Sequence, residues 1–345
     1  MNALVLTDYL HLQLQQVPTP APGPGEVLVR VAACGICGSD VHGFDGSSGR
    51  RIPPIVMGHE GAGSVAAVGA GVTDWHVGDR VTFDSTIYCG QCEYCRSGQV
   101  NLCNAREVIG VSCGDYRRNG AFAEYVSVPA RVLYRLPPEL PFTEAAMIEA
   151  VSVALHAVAV SGFSAGQTAV VIGAGMIGTL IVQALRVAGA SHILAADLDP
   201  TRLAEATRSG AHTTINPKEG RDTVAQLLSR FPSGVEHAFE AVGATATVEQ
   251  AIAAVRKGGT VTLVGNIAPR VEIPLQSVVS RQIRLQGSAA SSGEYPRAIE
   301  LLASKQIDVR PLISAVEPLS NGAEAFRRLH SGEPNLIKIV LTPDA

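Results

Sequence analysis

What the sequence lacks narrows the field first. No Lys/Arg cluster interrupts it, and 27 basic against 31 acidic residues leave a formal net charge of −4. A chain without a basic stripe gives a phosphate backbone nothing to grip, so nucleic acid is not an expected partner. No apolar run approaches the ~18 residues of a bilayer span, and a membrane protein is not expected. The opening MNALVLTDYLHLQLQQVPTP has no basic start and no small-residue cleavage site. It alternates like a strand, so no secretory signal is expected and a cytoplasmic location follows. Internal repeats, low-complexity runs and charged tails are missing too. Cysteine is scarce outside one loop. The total of seven is odd for a chain expected in a reducing compartment, where structural disulfides are disfavoured.

What is present suits a soluble globular protein of two domains: 345 residues, 46% hydrophobic and 17% charged. The first ~150 residues are rich in Gly and Pro with short alternating stretches, EVLVRVAAC, GAGSVAAVG, GDRVTF and AFAEYVSVP, an irregular β pattern. From about Val151 the order changes to strand, glycine turn and helix. TAVVI, HILAAD, HTTIN, EHAFEAV, TVTLVG and IRLQG read as six buried strands, and IGTLIVQALRVAG, TRLAEATRSG and VEQAIAAVRKG as helices between them. That order predicts an α/β fold with a six-stranded parallel sheet wound on both faces. After Gly287 two helical segments and a last strand, LIKIVL, are too short for a third domain and are expected to pack on the first. The expected domains are therefore 1–150 with 287–345, and 151–286.

In TAVVIGAGMIGTLIV, Gly173, Gly175 and Gly178 follow a strand and open a helix. Glycine there serves the tight turn, the close approach to a pyrophosphate at the helix N-terminus, and helix-on-strand packing. Asp197, at the end of the next strand, is placed to accept hydrogen bonds from an adenosine ribose and to repel a 2′-phosphate, which favours NAD over NADP. Arg202 is a further candidate contact to the ribose or adenine. A bare glycine motif is weak evidence, and the competing reading is turn glycines with a surface aspartate; strand, spacing and acid together outweigh it.

CGQCEYCRSGQVNLC sets Cys89, Cys92, Cys95 and Cys103 in one loop. Four thiolates match a closed tetrahedral zinc site, which is structural because no position stays open for substrate. A thioredoxin-like dithiol would need one pair on a strand–helix turn and fits poorly. Dispersed in the sequence, Cys37, His59, Glu60 and Glu149 form a mixed thiolate, imidazole and carboxylate set of the kind found around a catalytic zinc. Taken singly each has a plain explanation, a small buried thiol, a core histidine or surface charges, and spacing alone does not decide between the two.

In order along the chain, GICGSDVH, GHEGAGSVAAVGAGV, the four-cysteine loop, IEAVSVALHA and VIGAGMIG resemble the zinc-containing medium-chain alcohol and polyol dehydrogenases, most closely the sorbitol (L-iditol) dehydrogenase-like members. The resemblance runs the whole length. It implies a GroES-like catalytic domain joined to a Rossmann domain, and two zinc ions per chain. One is structural; the other is held by Cys37, His59 and Glu60, with Glu149 binding the metal or its water. It implies reversible hydride transfer between a secondary alcohol and NAD. Zinc would lower the pKa of the alcohol hydroxyl, and Ser39 and His42 would pass the proton to solvent. Ile177, Val264, Gly265 and Asn266 would contact the coenzyme, and a homotetramer or homodimer is expected. Because two carboxylates and a thiolate at once would blunt the zinc, Glu149 is the carboxylate expected to come and go. Cys34 is read as a small buried residue and His156 as a packing residue, and Cys113 has no assigned partner.

Substrate positions depart from the family pattern. Gly43 replaces a tyrosine, Ala290 and Ser291 stand where arginine and tyrosine are expected, and IEAVSV replaces IEPLSV. The expected substrate is a polyol such as sorbitol, galactitol or xylitol. The alternatives are a vicinal diol, L-threonine, or a polyol phosphate gripped by Arg117 and Arg118, with Tyr116 in the same loop. A non-catalytic, cofactor-binding relative is the reading from another class, and zinc content separates the two.

Overall fold

The computed structural model describes residues 1–218 and 222–344, and the chain divides into two compact units. The first comprises Met1–Glu149, Tyr295–Lys305 and Val309–Ala345; the second comprises Ala150–Glu294 and Gln306–Asp308. Residues 287–294, placed with the first domain from sequence, pack with the second unit. Ser288 N–H bonds the Leu263 carbonyl at 2.9 Å, and the Glu294 carboxylate meets His156 at 2.8 Å.

The first unit is built on the strand Glu26–Gly35. Its Val27, Val29, Val31 and Ala33 alternate into the core, as a half-buried strand requires. Its sheet runs Leu133–Arg135, Arg80–Phe83, Glu60–Val68, Glu26–Gly35, Lys338–Thr342, Ile313–Pro318, with Tyr125–Pro129 also paired to Glu26–Gly35. The last strand thus lies against the end of Glu26–Gly35, through Val340 on Gly35 and Leu341 on Cys34. Phe326, on the helix Gly322–His330, sits between Phe44 and Phe122 with ring centroids 5.6 Å apart in each pair, and all three rings are buried.

The second unit has six parallel strands in the order Thr213–Ile215, His192–Ala196, Thr168–Ile172, Val235–Glu240, Val255–Leu263, Arg284–Gly287. In chain order this is 3-2-1-4-5-6, the doubly wound arrangement whose ligands bind at the carboxyl ends of the strands where the order reverses. Val170, Leu194, Ala238 and Val261 are fully buried between the layers. One expected helix ends early. The composition of VEQAIAAVRKG predicts a helix to its glycine, but the helix is Thr245–Ala254 and strand begins at Val255. Val255 is β-branched, and Gly258 at φ +71° is outside helical geometry.

One helical stretch, Phe142–Ser161, is by length and composition apolar enough to cross a membrane, contrary to the expectation that none would be. Its mean hydropathy is 1.5. Of that window 61% is buried inside the protein, the burial of a core helix.

Candidate metal centres and dinucleotide site

Cys37 stands just before the seven-residue helix Gly38–Phe44. Asp40, in the first turn, reaches back to accept the Cys37 N–H at 3.2 Å, which fixes where the thiol emerges. His59 follows Gly58, whose φ of +97° and whose approach to Phe122 N, 2.8 Å from where a Cβ would sit, exclude a side chain. Glu60 opens the strand Glu60–Val68. The ligand atoms of Cys37, His59 and Glu60 lie within 4.8 Å of one another. Glu149, at the start of the helix Ile148–Ser161, is not a member of this cluster, but it feels the charges there. Burial pushes its carboxyl up to about 7, with His59 pulling down and Glu60 pushing up.

The support behind these residues was not read from the sequence. Asp40 Oδ1 lies 3.3 Å from His59 Nδ1 and accepts from Arg51 Nη2 at 3.1 Å. With Nδ1 turned to Asp40, Nε2 is the nitrogen left for a metal. Burial by itself raises the Asp40 carboxyl, but His59, Arg51 and the Cys37 N–H outweigh it and hold it down at about 2. Glu60 is gripped by Lys338, whose Nζ donates to both carboxylate oxygens at 2.8 and 2.6 Å and to the Ile36 carbonyl at 2.9 Å. Both residues are about 1% exposed. A lysine inside the apolar run LIKIVL was the sequence signal. Ser39 accepts from Arg51 Nη2 at 3.1 Å. His42 is exposed one turn along the same helix, its Nδ1 3.3 Å from Ser47 Oγ.

The four-cysteine loop gathers as its spacing suggests. All four Sγ atoms lie within 4.8 Å of one another, with Cys89–Cys95 at 3.9 Å and Cys92–Cys95 at 3.5 Å. Disulfide sulfurs sit about 2.05 Å apart, and a tetrahedron of thiolates about 2.3 Å from zinc has edges of about 3.8 Å. The sulfur separations match the second. Backbone N–H groups of Cys95 and Asn104 lower the Cys92 thiol to about 6, while burial and Cys92 itself push Cys95 up to about 12. A divalent cation bound there would offset the charge of thiolates gathered this closely.

In the second unit, Gly173 has φ +90° and Gly175 caps the helix Met176–Val187. A Cβ on Gly178 would fall 1.8 Å from the Gly173 carbonyl, so helix and strand meet only through glycine; one on Gly175 would meet nothing nearer than Arg202 at 4.0 Å. That opening at a helix N-terminus fits a diphosphate. Asp197 accepts the Ala174 N–H at 2.8 Å and the Asp199 N–H at 2.9 Å, and Arg202 lies 3.9 Å away. Ile177 is on the first helical turn; Val264 and Gly265 bond the Glu240 carbonyl, and Asn266 is exposed beyond them. Glu240, also missed, is fully buried and accepts from Val242 and Gly243 N–H at 2.9 and 2.8 Å. Ser291 is buried, and Ala290 has φ +52°.

Arg117 and Arg118 are already committed. Arg117 donates to the Pro54 carbonyl, and Arg118 pairs with Glu107 at 2.5 Å and Glu26 at 3.5 Å. They line a separate groove of about 490 Å³ that includes none of Cys37, His59 or Glu60.

Residues 23–138 match the model of the alcohol dehydrogenase GroES-like domain, and 176–304 that of the zinc-binding dehydrogenase family. Sorbitol dehydrogenase of Bacillus subtilis (strain 168) is 33% identical, aligned over 100% of this chain and 98% of its own. The chain belongs to the zinc-containing medium-chain alcohol and polyol dehydrogenases. Solved dehydrogenases agree. Alcohol dehydrogenase TADH from Thermus sp. ATN1 superposes with TM-score 0.92 at 33% identity over 100% of both chains. Galactitol-1-phosphate dehydrogenase from Escherichia coli does so with TM-score 0.91 at 29% identity, over 99% of this chain and all of that one.

Proposed function

We propose that this dehydrogenase oxidises a secondary hydroxyl of an unphosphorylated polyol reversibly with NAD. Cys37 and His59 would hold a catalytic zinc, Glu60 and Glu149 would be its carboxylates, and Cys89, Cys92, Cys95 and Cys103 would hold a structural one. The observation that carries the reading is the Cys37–His59–Glu60 cluster, three donors within 4.8 Å, two of them buried, with Asp40 behind the histidine. Bound there, zinc supplies Lewis acidity to a hydroxyl, and NAD supplies the hydride acceptor.

The chain's own residues account for the rest. Ser39 accepts the hydroxyl proton, and exposed His42 exchanges it with solvent. Glu60, with both oxygens on Lys338, is the fixed carboxylate, and Glu149, outside the cluster, is the one we assign to come and go. Asp197 favours an unphosphorylated ribose. The engagement of Arg117 and Arg118 elsewhere weighs against a phosphorylated substrate. We also propose a cytoplasmic homo-oligomer.

The test is NADH formation by zinc-loaded protein with sorbitol, xylitol, galactitol, butanediol, threonine and galactitol 1-phosphate, with NAD and then NADP. Turnover on a free polyol with NAD at least tenfold above NADP is expected. Activity confined to the phosphate, or a preference for NADP, would overturn the respective half of the reading.

A further inference from the structure

Arg51 is an unusual residue to find buried. It is 5% exposed, and its Nε has no hydrogen-bond partner among the described residues, a cost that buried N–H groups seldom carry. Its backbone is pinned. Arg51 bridges to Ser112, Ser112 N–H bonds the Arg50 carbonyl at 3.1 Å, and Ser112 Oγ bonds Ile52 on both sides, at 2.6 and 3.0 Å. Its side chain lies over Gly43. A Cβ there would come within 2.6 to 2.9 Å of Arg51 Cγ, Cδ and Cβ, so the missing side chain at 43 is what makes room for the arginine's aliphatic stem, which carries the guanidinium to Ser39 and Asp40. From that position a single nitrogen, Nη2, donates to Ser39 Oγ and to Asp40 Oδ1, both at 3.1 Å.

We propose that Arg51 is a positioning residue for the proton path, setting the direction of the Ser39 hydroxyl through a contact that Gly43 permits. This rests on the reading of Ser39 as the proton acceptor. A serine oxygen has two lone pairs and one proton. With one lone pair committed to Arg51, the other receives the substrate proton and the hydroxyl hydrogen passes on toward His42, which exchanges it with solvent, so Ser39 ends the step unchanged and one proton has moved outward. A free serine spreads over three rotamers, and the Arg51 Nη2, held at the same time by Asp40, selects one. The same nitrogen steadies Asp40, which faces His59, so Arg51 also bears on how firmly the histidine is aimed.

The experiment compares Ser39→Ala, Arg51→Met, the double variant, Arg51→Lys and Gly43→Ala in zinc-loaded enzyme, reading kcat and KM for alcohol oxidation from pH 6 to 9. It also reads release of the catalytic metal to a chelator without substrate. Arg51→Met should lose about 10- to 100-fold in kcat with KM for NAD unchanged. With zinc kept saturating, so that the route through Asp40 and His59 is not read, the double variant should be about as slow as Ser39→Ala, because the arginine acts on the rate through the serine. Lysine should restore part of the rate. Release of the metal should quicken about tenfold. Gly43→Ala, which keeps the charge and displaces the guanidinium, should reproduce the kcat loss in part, and it carries the same comparison should Arg51→Met fail to fold. Wild-type kcat in Arg51→Met, or losses that multiply in the double variant, would overturn the proposal and leave the relay standing. Wild-type kcat in Ser39→Ala would overturn the relay and the proposal together.

Discussion

Lys338 and Glu60 are a buried ion pair, and such pairs lose far more when one partner is removed than they contribute intact. Lys338→Met should therefore destabilise the protein by about 3–5 kcal/mol in urea unfolding, and Glu60→Gln in the same chain should recover much of it. A loss under about 1 kcal/mol for the single variant would show that the carboxylate finds another partner. The pair was illegible in sequence because its members are 278 positions apart. The local pattern around each, GHE and LIKIVL, reads as a ligand motif and a strand. Asp40 was hidden differently. It sits inside the GSDVH motif between two residues already given roles, and only the fold shows that it joins Cys37, His59 and Arg51.

Elements whose chemistry is local were the legible ones. The glycine turn and the six strands follow from hydrophobic runs and glycine positions within a few residues of each other, and the four-cysteine loop from spacing alone. Where an element depends on tertiary contacts, the reading slipped, as at VRKG and at the segment after Gly287. That segment is held by Glu294. Burial alone would raise its carboxyl, but His156 and the Ser292 N–H hold it below the ordinary value of 4.5. A lowered carboxyl stabilises the fold fully above about pH 4.5 and stops doing so as pH falls through the shifted value. Glu294→Gln should accordingly cost about 1 kcal/mol in urea at pH 7. The gap should close as the pH falls below that value, and a gap undiminished in strong acid would mean that the carboxylate's hydrogen bonds to His156 and the Ser292 N–H are not what anchors the loop.

For the whole molecule, the decisive quantity is metal stoichiometry. Purified protein should carry two zinc ions per chain, the count that separates a dehydrogenase with both sites from a non-catalytic relative. Cys92→Ser should retain one, with a lowered thermal midpoint, because binding free energy at a closed thiolate site counts as folding free energy. His59→Ala should also retain one, but with a midpoint close to wild type and turnover abolished. Equal midpoint losses in the two variants would contradict the division into structural and chemical sites.

The Lys338–Ile36 hydrogen bond spans 302 positions. On the ribosome, Cys37, His59 and Glu60 emerge early, and the lysine paired with Glu60 arrives only after the entire second unit has been synthesised. Until then Glu60 lacks the Lys338 ammonium and the strand Glu26–Gly35 lacks its neighbour Lys338–Thr342. The order of synthesis thus withholds the finished surroundings of the Cys37–His59–Glu60 cluster from the nascent chain, and the unit that starts first is completed last.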